Sequence, residues 1–303
     1  MLDKKPPSQP AYESPVIGGL SISEAEFQRI REIMYRKSGV YLLSTKKPLV
    51  ITRLRRRLID MGLKSFTEYV ALLERPGSAE AEVFVNAITT NETFFYRHDN
   101  QFNFLVNKTI PEILASRPGQ REIRIWSAAS SSGEEPYTLA LVTHEYQKAH
   151  PGVTFSIMAT DINTDVLNEA RAGVYSEKSV KLVPKDELHR YFQEIPAQGT
   201  YSRPEYAIKP EIKRLVTFKQ HNFMEMPPVR NVDIIFLRNA LIYFDKESKQ
   251  KAVDSISRAS TERGFLFVSL SETLNDVKSQ FKFIAHGVYR RQSPAVDAQG
   301  AAQ

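Results

Sequence analysis

Ile123-Arg-Ile-Trp126 runs directly into Ser127-Ala-Ala-Ser-Ser-Ser-Gly-Glu-Glu-Pro-Tyr137: an apolar strand pattern, a turn of small side chains, and a helix that starts on two acids. That order is the repeating unit of parallel α/β sheets, in which cofactors cross the carboxyl ends of the strands. Two later segments repeat the pattern. Phe155-Ser-Ile-Met-Ala-Thr-Asp161 ends on a carboxylate, and Val232-Asp-Ile-Ile-Phe236 is apolar around Asp233 before it meets Arg238 and Asn239. Strands are expected at about 122 to 126, 154 to 160, 232 to 237 and 264 to 270, and helices at about 134 to 149, 163 to 172 and 246 to 259. The fold class this predicts is α/β, a Rossmann-like sheet.

The flanking sequence reads differently. Ser23-Glu-Ala-Glu26 forms a capping box, with Ile22 and Phe27 placed as a hydrophobic staple and Gly39 as the stop. Further helices are expected at about 46 to 61, from Ser65 to Pro76-Gly77, and at about 79 to 88, which makes residues 20–88 an all-helical N-terminal domain. A second domain is expected over 89–291, opening with the loop Thr89–Thr93 and a helix at about 98 to 116. Between about 173 and 220 the pattern loosens around Pro184, Pro196, Pro204 and Pro210, which suggests a small antiparallel β insertion. Phe281 to Arg291 alternates like a closing edge hairpin, and the tails 1–19 and 292–303 read as disordered.

The chain has 303 residues and 42% apolar content, enough for a full core. It contains no cysteine, which excludes disulfides and thiolate metal sites. No apolar run is long enough to span a bilayer and the start lacks a leader pattern, so a cytoplasmic protein is expected. The net charge of +6 permits an acidic partner. His98, His144, His150, His189, His221 and His286 show no paired ligand spacing, so no metal is expected.

The turn at Ala128 to Gly133 lets a cofactor approach its backbone, although the usual glycine-rich fingerprint is thinned to one glycine. Glu134 and Glu135 suit the positive end of a helix whatever else they do. An acidic helix start would also repel phosphate, which favours S-adenosylmethionine, with its ammonium and sulfonium, over a nucleotide. Asp161 could accept both hydroxyls of a ribose or cap the helix that follows. Arg238, Asn239 and Tyr243 gathered at a strand end are hard to justify by packing. In the second helix Val50, Leu54, Leu58 and Met61 form an apolar stripe, while Arg53, Arg56 and Arg57 share another face, either solvated or used to dock an acidic partner. Phe94, Phe95 and Tyr96 read as packing between the two domains.

Several of these motifs, in order, resemble the chemotaxis receptor glutamate O-methyltransferases of the CheR type. The resemblance covers about 22 to 291 and rests on Thr89-Thr-Asn-Glu-Thr-Phe-Phe-Tyr-Arg97, Trp126 to Tyr137, Ala159-Thr-Asp161 and Phe236 to Lys246. It implies methyl transfer from S-adenosylmethionine to receptor glutamates, leaving S-adenosylhomocysteine. Carried over by position, cofactor contacts fall on Asn91, Thr93, Arg97, Glu135, Asp161, Asn222, Phe223, Arg238 and Asn239. Arg97 and Tyr243 are then the catalytic residues, and Arg53, Arg56 and Arg57 dock the substrate. The implied partners are the cytoplasmic coiled-coil helices of chemoreceptors, met by a monomer recruited to membrane-bound receptor arrays, with no nucleic acid and no membrane insertion. Ser130 to Ser132 and Glu92 depart from the family pattern, as does a longer, proline-rich insertion at about 193 to 206. A methyltransferase for RNA or a small molecule, or a cofactor-binding regulator without turnover, are the rival readings.

Overall fold

The computed structural model describes residues 21–197 and 203–292. The tail expected at 1–19, that expected at 292–303 apart from Gln292, and the centre of the proline-rich stretch lie outside the described residues. The chain divides into two compact units, one of residues 1–37 and 41–88, the other of 38–40 and 89–303.

The first unit is helical: α1 (Glu24–Ser38), α2 (Lys47–Asp60), α3 (Phe66–Leu73) and α4 (Glu80–Ile88). α1 begins as the capping box requires, with Ser23 N donating to the Glu26 carboxylate at 2.7 Å and Glu26 N to Ser23 Oγ at 3.2 Å. Ile22 and Phe27 are fully buried. Ser65 caps α3 by accepting from Glu68 N at 3.3 Å, but the Glu68 carboxylate reaches one residue further back, to Lys64 N at 2.9 Å. Val50, Ile51, Leu54 and Leu58 form the buried face of α2. Met61, expected in that stripe, lies beyond the last turn and is exposed.

The second unit opens with α5 (Asp99–Phe104) and α6 (Ile110–Ser116), joined by a π-helical turn at Leu105–Thr109. The helix expected at about 98 to 116 is thus present, and Pro111 explains the π turn inside it. It has no N–H to offer Asn107 and its ring crowds that carbonyl, so the ladder slips and Ile110 N bonds to Leu105 O, five residues back.

There follow β1 (Glu122–Ser127), α7 (Glu134–Ala149), β2 (Thr154–Asp161) and α8 (Thr164–Ala172). The next elements are β3 (Val174–Ser176), α9 (Glu177–Val180), α10 (Lys185–Tyr191), β4 (Phe192–Ile195), β5 (Glu205–Ile208) and α11 (Pro210–Lys213). The chain then adds β6 (Val216–Gln220), β7 (Val232–Phe236), α12 (Lys246–Ala259), β8 (Ser260–Phe267), β9 (Phe281–Ala285) and β10 (Val288–Arg291).

The main sheet has seven strands in the order β6-β2-β1-β7-β8-β10-β9, and a separate antiparallel sheet has the order β3-β5-β4. β6, β2, β1, β7 and β8 are parallel, and β10 and β9 close the sheet as an antiparallel hairpin. The insertion is therefore shorter than the 173 to 220 expected: Val216–Gln220 pairs with β2 as the edge of the main sheet. The short, polar-ended run Val-Thr-Phe-Lys-Gln hid it. β8 also begins earlier than expected, at Ser260. Its ladder to β7 shifts register after Val232, and Arg263 takes a left-handed φ of 65°. That bulge breaks the alternation before Gly264, where the strand was expected to begin.

Side chains alternate between two apolar layers. Ile123, Ile125, Ile234, Phe236 and Phe267 pack with Phe102 of α5 and Leu139 and Leu141 of α7. Trp126, Ile235 and Leu266 pack with Ala252, Val253 and Ile256 of α12. The buried Asp233 in β7 is satisfied at the amino ends of the strands, accepting from Arg117 Nη2 at 2.7 Å, Arg124 N at 3.0 Å and Thr261 Oγ1 at 3.2 Å. Among the described residues, no helix is long and apolar enough to cross a membrane.

Candidate functional site

β1 lies between β2 and β7, so the chain leaves it toward one side of the sheet and returns on the other. This reversal opens a crevice beyond the carboxyl ends of β1 and β7, the place where open α/β sheets bind ligands. The turn from Ser127 to Gly133 lies there, with Gly133 at φ 99°. A Cβ at Gly133 would stand 2.8 Å from Tyr175 Oη and 2.9 Å from Ala170 Cβ, so the one glycine of this turn is required by close approach as well as by conformation.

Two clusters hang from this turn. In the first, Ser127 Oγ donates to Glu135 Oε1 at 2.7 Å, and Glu135 Oε2 lies 3.5 Å from Arg238 Nη1. Arg238 is 5% exposed, its Nη2 donates to Arg97 O and stands 3.2 Å from His98 Nδ1, and its guanidinium sits over the Phe102 ring. Its Nε and Nη1 have no hydrogen-bond partner among the described residues. Burial pushes the Glu135 carboxyl up, opposed by Arg238, and pushes the Arg238 guanidinium down, opposed by Glu135. Burial also lowers His98, helped by Arg238 and Arg97, so His98 is held neutral with Nδ1 free to accept.

In the second cluster, Ser131, at φ 48°, donates its N–H to Asp161 Oδ2 at 2.8 Å and its hydroxyl to Asn91 O at 2.8 Å. Asp161 Oδ1 accepts from Asn163 N at 3.0 Å. Asn163, not Asp161, caps α8, accepting from Asp165 N and Val166 N. Burial raises the Asp161 carboxyl, with the amide bonds pulling against it. The helix-cap alternative for Asp161 therefore falls away, and its carboxylate closes a loop between the β1 and β2 ends.

Residues 89–98 enter the site in a contorted conformation. Tyr96 and His98 have φ of 57° and 60°, and Tyr96 N is tied to Thr138 Oγ1 at 3.2 Å. Arg97 Nη1 donates to Glu92 O at 2.9 Å and lies over the Phe94 ring, and Thr93 is partly buried on the same loop. Phe95 is fully buried against Tyr175 and Phe192, and the Tyr96 hydroxyl donates to Glu187. These aromatics therefore pack onto the insertion of their own unit, a partner that spacing along the chain does not show.

The loop after β6 carries Asn222, whose Oδ1 accepts from Met224 N at 3.0 Å, and Phe223, whose ring neighbours Trp126, His221 and Phe244. Burial lowers the His221 imidazole to about 4. Beyond β7, Asn239 sits at φ 58° with Nδ2 donating to Ser269 Oγ at 3.0 Å, and Tyr243 ends a 3-10 turn, Leu241–Tyr243, partly buried.

The structure thus joins Glu135, Arg238 and the Arg97 backbone in one cluster and Asp161 with Asn91 in the other. Arg53, Arg56 and Arg57 belong to the helical unit. Arg53 Nη1 donates to Ile88 O at 2.6 Å, and Arg57 makes two bonds to the buried Glu80, at 2.8 and 2.5 Å, which also accepts from Tyr69 at 2.9 Å. Arg56 pairs with the exposed Asp60, at 2.9 Å.

Sequence reasoning missed Ser127, Ser131, His98 and Glu272. Glu272 accepts backbone N–H groups from Ser269 and Asn239. Its signal was legible as Ser269-Leu-Ser-Glu272, capping-box spacing directly after a strand.

Comparison with known proteins identifies the family. The model of the CheR methyltransferase SAM binding domain matches residues 91–289, and that of the CheR methyltransferase all-alpha domain matches 25–89. The chain is 36% identical over 264 residues to chemotaxis protein methyltransferase 2 of Vibrio cholerae, covering 86% of this chain and 89% of that one. It is 34% identical to the chemotaxis protein methyltransferase of Borreliella burgdorferi, covering 90% and 96%, and 34% identical to that of Salmonella typhimurium, covering 89% and 91%. With its helical unit, its parallel sheet and both family models matched in sequence, the chain belongs to the CheR methyltransferase family and is an S-adenosylmethionine-dependent methyltransferase.

Proposed function

We propose that this chain transfers the methyl group of S-adenosylmethionine to γ-carboxylates of glutamates in the cytoplasmic helices of chemoreceptors, acting as a cytoplasmic monomer recruited to receptor arrays. The observation that carries the reading is the buried Arg238–Glu135 pair at the β1/β7 crevice, two opposite charges left only partly satisfied. An amino-acid group suits such a pair: Arg238 Nε and Nη1 are donors for an α-carboxylate, and Glu135 is an acceptor for an ammonium. Asp161 at the end of β2 offers a carboxylate to ribose hydroxyls, and Phe223, with Asn222 beside it, offers a ring face to a purine. Asn91, Thr93, Arg97 and Asn239 complete the contact set. The helix that follows this turn starts on Glu134 and Glu135, an acidic start that disfavours phosphate.

S-adenosylmethionine, when bound, supplies an electrophilic methyl on a sulfonium. The acceptor glutamate is ionised at neutral pH, with an ordinary pKa of about 4.3, so the protein needs no base to activate it. What remains for the chain is to align the acceptor and exclude water, since charge is lost as the in-line displacement proceeds. Arg97 orients the incoming carboxylate. It must hold the ground state no more tightly than the transition state. Tyr243, on the turn beyond β7, lines the methyl-transfer pocket, and Arg53, Arg56 and Arg57 supply a positive surface for acidic receptor helices.

The test is incubation with methyl-labelled S-adenosylmethionine and receptor-containing membranes, followed by mild alkali and counting of volatile methanol. Base-labile label on a receptor-sized protein is the expected result. Alkali-stable label, or label on RNA, overturns it.

A further inference from the structure

We infer that Glu272 is a positioning residue for methyl transfer, its carboxylate holding the Arg238–Tyr243 segment in the shape that catalysis uses. The inference rests on the proposed roles of Arg238, Asn239 and Tyr243. β7 stops pairing at Phe236, and Leu237 N makes the last ladder-like bond, to Phe267 O at 2.8 Å. The six residues that follow carry the functional side chains without a strand to hold them. Glu272 takes over that task from the neighbouring strand end. It is 8% exposed, and its Oε2 accepts from Asn239 N at 2.9 Å and from Ser269 N at 2.8 Å, while its Oε1 accepts from Ile242 N at 3.3 Å.

Each bond has a definite target. Asn239 is the residue whose left-handed φ of 58° turns the chain away from β7, and Ile242 immediately precedes Tyr243. Ser269 anchors the carboxylate to the end of β8 and also receives Asn239 Nδ2, at 3.0 Å. Three backbone donors converge on one buried group, and only a carboxylate presents an acceptor to all of them without a donor of its own. In Glu272→Gln the amide oxygen can serve one side, and the NH2 then confronts an N–H on the other. Asn239 N or Ile242 N loses its acceptor, and the turn carrying Tyr243 shifts. Geometry errors near 1 Å at a reacting centre cost roughly 100-fold in rate.

The experiment compares Glu272→Gln, Glu272→Asp and Asp276→Asn as full-length proteins. Asp276 follows Glu272 on the same segment and pairs with Lys249 Nζ at 2.6 Å, so its loss loosens that segment and leaves the Asn239 and Ile242 bonds intact. Calorimetry gives S-adenosylmethionine affinity, receptor methylation gives kcat and KM, and thermal melting gives folding. Expected for Glu272→Gln are a cooperative melt, a kcat down by roughly 10- to 100-fold at saturating cofactor, and a receptor KM within about threefold. Glu272→Asp, which keeps both acceptors one methylene short, should recover part of the loss, and Asp276→Asn should match wild type. Wild-type kcat and cofactor affinity in folded Glu272→Gln overturn the inference, as does an equal loss in Asp276→Asn. Should Glu272→Gln fail to fold, a wild-type kcat in Glu272→Asp overturns it as well. If the wild type forms no receptor methyl ester, the glutamate reading fails and the cofactor-affinity comparison still decides the role of Glu272.

Discussion

His221 sits 6% exposed beside Trp126 and Phe223, and burial holds its imidazole at about 4 against an ordinary 6.5. Lys219, two residues before it, lowers it further. The native protein thus keeps His221 neutral, while the unfolded chain protonates it below about 6.5. Its contribution to stability is whole above that pH and is lost as pH falls toward about 4. Urea unfolding of wild type and His221→Phe between pH 8 and 5 should diverge by roughly 2 kcal/mol, the wild type losing more. Parallel curves would refute the neutral, buried imidazole. At this scale the sequence showed Glu135, Asp161 and Arg238 because strand ends and helix starts place them. It did not show their partners. Ser131 meets Asp161 through a left-handed backbone, and Glu272 meets Asn239 across two strand ends, pairings that no local spacing encodes.

Among the elements, α2 bears on how the helical unit works. Arg57 and Arg56 look alike along the sequence, yet one is bonded to a carboxylate whose side chain is 4% exposed and the other is 86% exposed. Removing Arg57 strands Glu80 in the interior with Tyr69 as its remaining donor among the described residues. Arg57→Ala should therefore destabilise the unit by roughly 2 kcal/mol, a value discounted for the partial exposure of Arg57 itself. Arg56→Ala should leave the melting temperature unchanged and slow receptor methylation in a salt-dependent way. Cofactor affinity unchanged in both, by calorimetry, separates docking from site chemistry. If Arg56→Ala methylates receptors as fast as wild type at low salt, α2 is not the docking surface. Helix starts in this unit were readable from Ser23, Ser65 and their glutamates, because capping is local chemistry. The edge strand Val216–Gln220 was not, because its run is short and ends on Lys219 and Gln220.

Over the whole molecule, stability and chemistry occupy opposite ends of one sheet. Asp233 binds Arg117, Arg124 and Thr261 at the amino ends of the strands, while the Arg238–Glu135 cluster lies past their carboxyl ends. Asp233→Ala leaves Arg117 without its carboxylate and the Arg124 N–H without an acceptor, and should cost roughly 3 kcal/mol. Folded Asp233→Ala should still bind S-adenosylmethionine with wild-type affinity, and a tenfold weaker Kd by calorimetry would show that the two ends are coupled. The order of the last strands has a consequence for how the protein is made. β9 precedes β10 in the chain but lies outside it in the sheet, and among the described residues β10 is its sole strand partner. A ribosome delivers β9 first, with Phe283 and Ile284 on a strand that has nothing yet to pair with. The sheet is completed only when Val288–Arg291 clears the exit tunnel and slots between β8 and β9, so a stop codon at position 288 would unseat two strands instead of one.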